Sequence, residues 1–176
     1  SLYFLYAALI EEKTWGWLAA GLSLGAGLLS KYTMVLLIPG VFLFILSTPS
    51  MRQRLLSWKP WTSLMIALAL FSPVIYWNSR NGWISFLFQL KHGTAARESL
   101  GLRFFIDFLG SQALVFSPFL FAGFFWAWYR AFKTGLKKGL EQFSFLFWTS
   151  FPIFAFFLFE SFRTKVEANW PAFCYG

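Results

Sequence analysis

The sequence predicts an all-α fold, a polytopic transmembrane helical bundle with one interfacial amphipathic helix. Hydrophobic residues make up 58% of the 176 residues and charged residues only 12%, about half the charged share of a typical globular domain. The apolar residues are grouped in runs that approach the roughly 20 residues needed to cross a bilayer. Short basic segments separate these runs, as they do in the loops of membrane proteins.

Apolar runs alternate with polar breaks along the whole chain. Each run is interpreted as a span or part of one, and the runs are residues 1–10, 15–29, 33–46, 61–77, 104–128, 143–162 and 170–176. The second and third runs are short, so they are either two short spans that meet at Lys31 or one interrupted segment. The run at 104–128 contains Asp107 and Gln112, which we expect to hydrogen-bond each other or a neighbouring helix. Because the chain starts and stops inside apolar runs, we expect residues 1–176 to be part of a single transmembrane domain, truncated at both ends.

The basic residues predict the orientation of the spans. Residues 52–59 and 130–138 are rich in lysine and arginine, and two predicted spans lie between them. Both segments therefore face the same side, which the lysine and arginine excess predicts to be the cytoplasm, together with residues 11–13. Lys31 and residues 78–103 and 163–169 then fall on the extracytoplasmic face.

Composition also excludes several classes of function. The net charge is +8, but the basic residues form no continuous stripe, so we expect no nucleic-acid partner. A single cysteine, Cys174, and a single histidine, His92, exclude an internal disulfide and a cysteine- or histidine-rich metal site within the chain. The sequence contains no Walker or HExxH motif. The residues alone predict a polytopic membrane protein with a cationic outer face.

Lys31 is the first candidate binding residue. It follows a stretch of small residues with the spacing Gly21-x-x-x-Gly25, which lets helices pack closely. A lysine at the end of a span commonly extends toward the interface, and this purely structural role is one interpretation. Its extracytoplasmic position runs against the usual distribution of basic residues, which favours a partner such as a lipid phosphate.

Residues 78–93 predict an amphipathic helix that lies in the membrane interface. Their aromatic and aliphatic side chains recur at near-helical spacing, with polar side chains between them. Such a helix is either a structural surface helix or one wall of a lipid-facing groove. In the second case Arg80, Lys91 or His92 would contact a phosphate.

The segment after the last complete run holds the densest polar group. Its polar residues are Glu160, Arg163, Lys165, Glu167 and Asn169. These charges either pair locally in a short loop, or they form a site in which cations bind a phosphate and a carboxylate or amide orients a hydroxyl. Lysine and arginine suit phosphate because charge-assisted hydrogen bonds are the strong class.

Three segments in this order carry a resemblance to a known family: GLSLGAGLLSKYTMVLLIP, PVIYWNSRNGWISFLFQLKHG and KVEANWPAF. The chain resembles, from Leu22 to Pro171, the bacterial membrane glycosyltransferases of family 39. These are relatives of the protein O-mannosyltransferases and of the lipid A aminoarabinose transferase, in the C-type glycosyltransferase superfamily. The resemblance implies a multi-pass helical enzyme of the inner membrane. On the outer face, it would move a sugar from a polyprenyl-phosphate-linked donor to a lipid or protein acceptor.

The resemblance also implies roles for individual residues. The donor phosphate would be bound by Lys31, Arg163 and Lys165. Supporting residues of the site would be Glu167, Asn169, Arg80 and His92. The acidic motif that supplies the family's catalytic carboxylate is not in this chain, so we expect no catalytic residue here and no activity from the chain alone. The resemblance implies no cofactor besides the donor substrate, and no metal ligand is predicted.

Two other classes of function fit the same sequence features. A membrane transporter or lipid flippase would also direct cations toward a cavity, and such proteins often contain inverted repeats, which the sequence does not show. A purely structural membrane subunit would use the polar residues only as loop charges.

Overall fold

The computed structural model describes residues 1–94 and 102–172, without the side chains of residues 90–94 and 136. Every element in this part of the chain is helical, which confirms the predicted all-α class. The α-helices are α1 Leu2–Leu9, α2 Thr14–Ser30, α3 Leu37–Ser47, α4 Trp58–Arg80, α5 Ile84–Thr94, α6 Leu102–Phe116, α7 Pro118–Lys138 and α8 Glu141–Glu160. Two 3-10 helices, Tyr32–Leu36 and Pro49–Leu56, precede and follow α3.

Two of the described helices, α4 and α8, are each long and apolar enough to cross a membrane. Two bent pairs would qualify if each pair were one span. The segment Tyr32–Ser47 meets Pro49–Leu56 at 118°, and Leu102–Phe116 meets Pro118–Gly135 at 103°. The second helix of each pair begins with a proline, Pro49 or Pro118. Proline disfavours a helical conformation in the residue before it, which explains why the helix is interrupted there. The predicted run at 104–128 is therefore divided between α6 and α7.

The amphipathic helix begins later than the sequence predicts. Residues 78–80 belong to α4, and α5 starts at Ile84 after a turn. The turn places Gly82 at φ +64°, a backbone conformation that favours glycine. The buried Asn78 then fixes the start of α5, because its Oδ1 accepts a hydrogen bond from the Ser85 N–H at 3.1 Å. A helical periodicity alone does not reveal this turn.

Close packing between α2 and α4 depends on the small residues of α2. A Cβ atom added at Gly21 would lie 2.5 Å from the Ser63 carbonyl oxygen, and one added at Gly25 would lie 2.8 Å from the Leu70 side chain. Both distances are too short for non-bonded atoms, so only glycine allows this approach. The Gly21-x-x-x-Gly25 spacing therefore serves helix packing, as predicted.

Polar contacts near the start of α2 join segments that were predicted to be cytoplasmic. Arg54 forms an ion pair with Glu12, and Lys59 Nζ donates to Thr14 Oγ1 at 3.2 Å. Lys31 lies at the other end of α2, next to Ser30. The two predicted faces thus correspond to opposite ends of this helix.

Gly21→Ala should destabilise the protein, because the added methyl group would meet the Ser63 backbone. We expect a loss of about 1–3 kcal/mol, the usual range for overpacking, measured by thermal unfolding in lipid nanodiscs. Gly110→Ala is the matched control, since no described atom lies within 4 Å of its added Cβ and alanine favours a helix interior. Equal unfolding temperatures for Gly21→Ala and wild type would contradict the close approach of α2 and α4.

Candidate functional site

Lys31 lies between α2 and the first 3-10 helix, and its side chain contacts a distant part of the chain. Its extended backbone, at φ −151° and ψ 116°, ends α2. Its Nζ donates to the carbonyl oxygen of Asn169 at 3.0 Å and to that of Trp170 at 3.5 Å. Burial lowers the pKa of the Lys31 ammonium because it removes water from the charged form. An anion next to the ammonium would favour the charged form again.

The C-terminal loop, residues 161–172, is held by donors from two distant segments. Gln112 Nε2 of α6 donates to the Ala168 carbonyl oxygen at 3.0 Å. Together with the Lys31 bonds, this gives three consecutive carbonyl groups, those of Ala168, Asn169 and Trp170, that accept from side chains elsewhere in the chain. The loop is thus fixed along its backbone, between the end of α2 and α6.

Gln112 makes a contact that the sequence did not indicate. The sequence predicts that Asp107 and Gln112 bond each other or a neighbouring helix, and the bond from Gln112 to the Ala168 carbonyl is not part of that prediction. Asp107 instead lies 3.9 Å from Arg103, one turn earlier on α6. Residues three or four positions apart share a helix face, whereas Asp107 and Gln112 are five positions apart. Gln112 is accordingly fully buried, whereas Asp107 is exposed.

Lys31 lines two cavities. The first, of about 580 Å³, lies between the end of α2 and the start of α5. The second, of about 440 Å³, reaches α8 and the C-terminal loop. Both volumes are in the range of small-molecule sites. Tyr32, Phe88 and Gln89 line both cavities together with Lys31, so the lysine lies where the two adjoin.

Aromatic contacts hold α5 as one wall of these cavities. The Tyr32 ring meets Phe71 of α4 edge to face at 5.8 Å between centroids, and it meets Phe86 of α5 at 5.6 Å. Such pairs are worth about 0.5–1.5 kcal/mol beyond burial. The residue that follows Lys31 thus positions α5.

The other predicted cations form local ion pairs. Arg163 Nη1 lies 3.7 Å from Glu160 Oε1, and Lys165 Nζ lies 3.2 Å from Glu167 Oε1. The Lys165 and Glu167 side chains are 69% and 55% exposed. Exposed pairs contribute only about 0–1 kcal/mol, so a ligand phosphate could replace the carboxylate as the partner of Lys165.

The remaining predicted residues differ in what the structure shows. Asn169 reaches Lys31 through its backbone carbonyl. Arg80 is exposed at the end of α4 and lines neither cavity. His92 is in α5, but its side chain, like that of Lys91, lies outside the described residues. Of the predicted residues, the structure therefore brings Lys31 and Asn169 together.

Further polar residues line the second cavity, namely Thr33, Glu160 and Thr164. Thr33 Oγ1 and Glu160 Oε2 are both buried and have no hydrogen-bond partner among the described residues. Glu160 carried a sequence signal, since it is an ionisable residue at the end of an apolar run. Thr33 carried none, because a threonine within an apolar run is common.

Comparisons with known proteins bear on this arrangement. Residues 1–77 match a family model described as dolichyl-phosphate-mannose-protein mannosyltransferase. The chain is also similar to lipid A galacturonosyltransferase RgtD of Rhizobium johnstonii, with 25% identity over 177 residues. Both matches are to sugar-transferring enzymes, and they support the resemblance to family 39. The chain is aligned with this relative over 97% of its own length but spans only about a third of the relative, 35%. No solved structure matches it.

Lys31→Met should loosen the C-terminal loop, because methionine keeps an aliphatic side chain but donates no hydrogen bonds. We expect amide exchange in residues 166–172 to rise about fivefold, in line with roughly 1 kcal/mol for the lost bonds. Hydrogen–deuterium exchange by mass spectrometry would measure this change. Lys59→Met, at the other end of α2, is the control and should leave the loop unchanged. Identical exchange in Lys31→Met and wild type would show that these bonds do not hold the loop.

Proposed function

We propose that this chain forms the donor-phosphate side of a membrane glycosyltransferase. The enzyme moves a sugar from a polyprenyl-phosphate-linked donor to a lipid or protein acceptor on the outer face of the inner membrane. The observation that carries the proposal is the ammonium of Lys31, which lies where two cavities adjoin. The similarity to a mannosyltransferase family and to a lipid A galacturonosyltransferase supports sugar transfer as the reaction class.

The chemistry of a lipid-linked donor suits this site. The second cavity is lined mainly by apolar and aromatic side chains, among them Val35, Leu36 and Phe156, which can accept a prenyl chain or the apolar face of a sugar. Lys31 provides the cation for a phosphate diester. The proposed donor therefore has its charged group at Lys31 and its apolar part along the cavity.

The proposed reaction is a single displacement at the anomeric carbon. A bond forms between the acceptor oxygen and the anomeric carbon while the bond from that carbon to the phosphate oxygen breaks. A carboxylate outside this chain takes the proton of the acceptor hydroxyl, and the electron pair leaves with the lipid phosphate. Lys31 stabilises the charge that develops on that phosphate.

The other predicted cations form a second layer in this proposal. Arg163 and Lys165 approach the phosphate from the C-terminal loop, and Glu167 is the carboxylate that Lys165 exchanges for it. The supporting residues are Asn169, Arg80 and His92. Support for the loop's participation comes from the Lys31 bonds, which hold it at the edge of the second cavity.

In the full-length protein, Lys31→Ala should reduce sugar transfer more than tenfold, which corresponds to about 1.4 kcal/mol of transition-state stabilisation. Transfer of radiolabelled sugar from a polyprenyl phosphate to membrane acceptors would measure this loss. Lys31→Arg should retain more activity than Lys31→Ala, because it keeps a cation. Lys59→Ala is the control at the other end of α2. A wild-type rate in Lys31→Ala at equal membrane abundance would exclude Lys31 from donor binding.

Lys165→Ala should also reduce transfer more than tenfold, but it should leave stability unchanged, because its exposed pair with Glu167 contributes about 0–1 kcal/mol. The same transfer assay and thermal unfolding would separate the two effects. Lys133→Ala, in the segment predicted to be cytoplasmic, is the control. Unchanged transfer in Lys165→Ala would leave only the local ion pair as the role of this lysine.

A further inference from the structure

Two residues that line the second cavity each carry a buried polar atom without a hydrogen-bond partner among the described residues. Glu160 is only 8% exposed, and its Oε2 has no hydrogen-bond partner there, while Oε1 lies 3.7 Å from Arg163. Thr33 lines the same cavity, and its Oγ1 is also buried and without a partner among those residues. Burying a polar group without a partner is unfavourable, and buried carboxylates are especially so. These two atoms therefore need a hydrogen-bond partner from outside the described residues, such as a water molecule or a ligand.

The backbones of both residues are held in place. The Glu160 carbonyl oxygen accepts hydrogen bonds from the Arg163 and Thr164 N–H groups, each at 2.9 Å. Thr33 is two residues after Lys31, within a 3-10 turn that the Met34 N–H closes onto the Lys31 carbonyl at 3.0 Å. The two unsatisfied atoms thus belong to turns that adjoin the contact between Lys31 and the C-terminal loop.

The chemistry of the two atoms restricts what can bind to them. An ionised carboxylate only accepts hydrogen bonds, so Glu160 requires a ligand with O–H or N–H donors and repels a phosphate. A threonine hydroxyl both donates and accepts. The phosphate and the donor-bearing part of a ligand must therefore occupy different parts of the cavity. A sugar phosphate has this division, with its anion on one side and several hydroxyl groups on the other.

We propose that Thr33 and Glu160 form a hydroxyl-binding subsite for a sugar ring in the second cavity. Glu160 Oε2 accepts a hydrogen bond from one sugar hydroxyl, and Thr33 Oγ1 bonds to another. The inference rests on the proposed function, which supplies the sugar. The ring belongs either to the donor or to the acceptor, since both would present the same hydroxyl chemistry.

The test uses the full-length protein with Thr33→Val or Glu160→Gln and three lipid probes. The probes are polyprenyl phosphate without a sugar, a polyprenyl-phosphate hexose, and lipid A. Each variant should weaken binding of at least one sugar-bearing probe, the polyprenyl-phosphate hexose or lipid A, at least fivefold. Thr33→Val removes a hydrogen bond to the ligand, and Glu160→Gln removes the charge that strengthens the other one. Binding of polyprenyl phosphate should stay within twofold of wild type. Dissociation constants measured in nanodiscs would show both effects.

Thr149→Val is the matched control. It makes the same change of hydroxyl to methyl on a buried threonine, but the Thr149 hydroxyl already donates to the Phe145 carbonyl at 2.8 Å within α8. All three probes should bind this variant as they bind wild type. Thr33→Val should not lower the unfolding temperature, because the described structure has no hydrogen bond for it to break.

The outcomes separate this inference from the proposed function. A loss of affinity for lipid A alone would support the subsite and assign it to the acceptor sugar. Unchanged affinity for both sugar-bearing probes, or an equal loss for polyprenyl phosphate, would overturn the subsite. If Lys31→Ala then still weakens polyprenyl phosphate binding, the proposed function survives without it. A wild-type protein that binds none of the probes would overturn both.

Discussion

The hydrogen bonds between the Lys31 ammonium and the carbonyls of the C-terminal loop determine how the rest of the site is arranged. A partly buried ammonium needs acceptors, and a loop without helical hydrogen bonds needs donors for its carbonyls. The Lys31 ammonium and the Asn169 carbonyl satisfy each other, although 138 positions separate them in the sequence. Gln112 supplies the donor for the neighbouring carbonyl. The backbone of the loop is therefore held by Lys31, which directly follows α2, and by Gln112 of α6.

The end of α2 at Lys31 also positions the opposite wall of the cavities. The extended backbone at Lys31 ends α2, and the next residue, Tyr32, contacts Phe71 and Phe86. Asn78 independently fixes where α5 begins. One short segment thus connects to α5 through an aromatic ring and to the C-terminal loop through an ammonium. This segment, Lys31 and Tyr32, lines both cavities.

The parts of this structure that the sequence predicts are those that depend on local composition. The spans at 61–77 and 143–162 correspond to α4 and α8 because a long apolar run is a local property. The sequence indicates Lys31 as a candidate because it is a charged residue between two apolar runs. Its partners could not be predicted, since a backbone carbonyl leaves no residue-type signal. The bond from Gln112 and the unsatisfied hydroxyl of Thr33 likewise depend on contacts between distant segments.

Lys31 and Glu160 line one cavity, yet each has a different partner. Glu160 is within 4 Å of Arg163 in the described ion pairs, whereas Lys31 bonds to backbone carbonyls. A direct pair between them would neutralise both charges and leave little for a ligand to bind. Because the carbonyls carry no full charge, the Lys31 ammonium keeps its attraction for an anion. The cavity therefore keeps one cationic side and one hydrogen-bond-accepting side, and under the proposed function this polarity sets the direction in which a lipid-linked sugar enters.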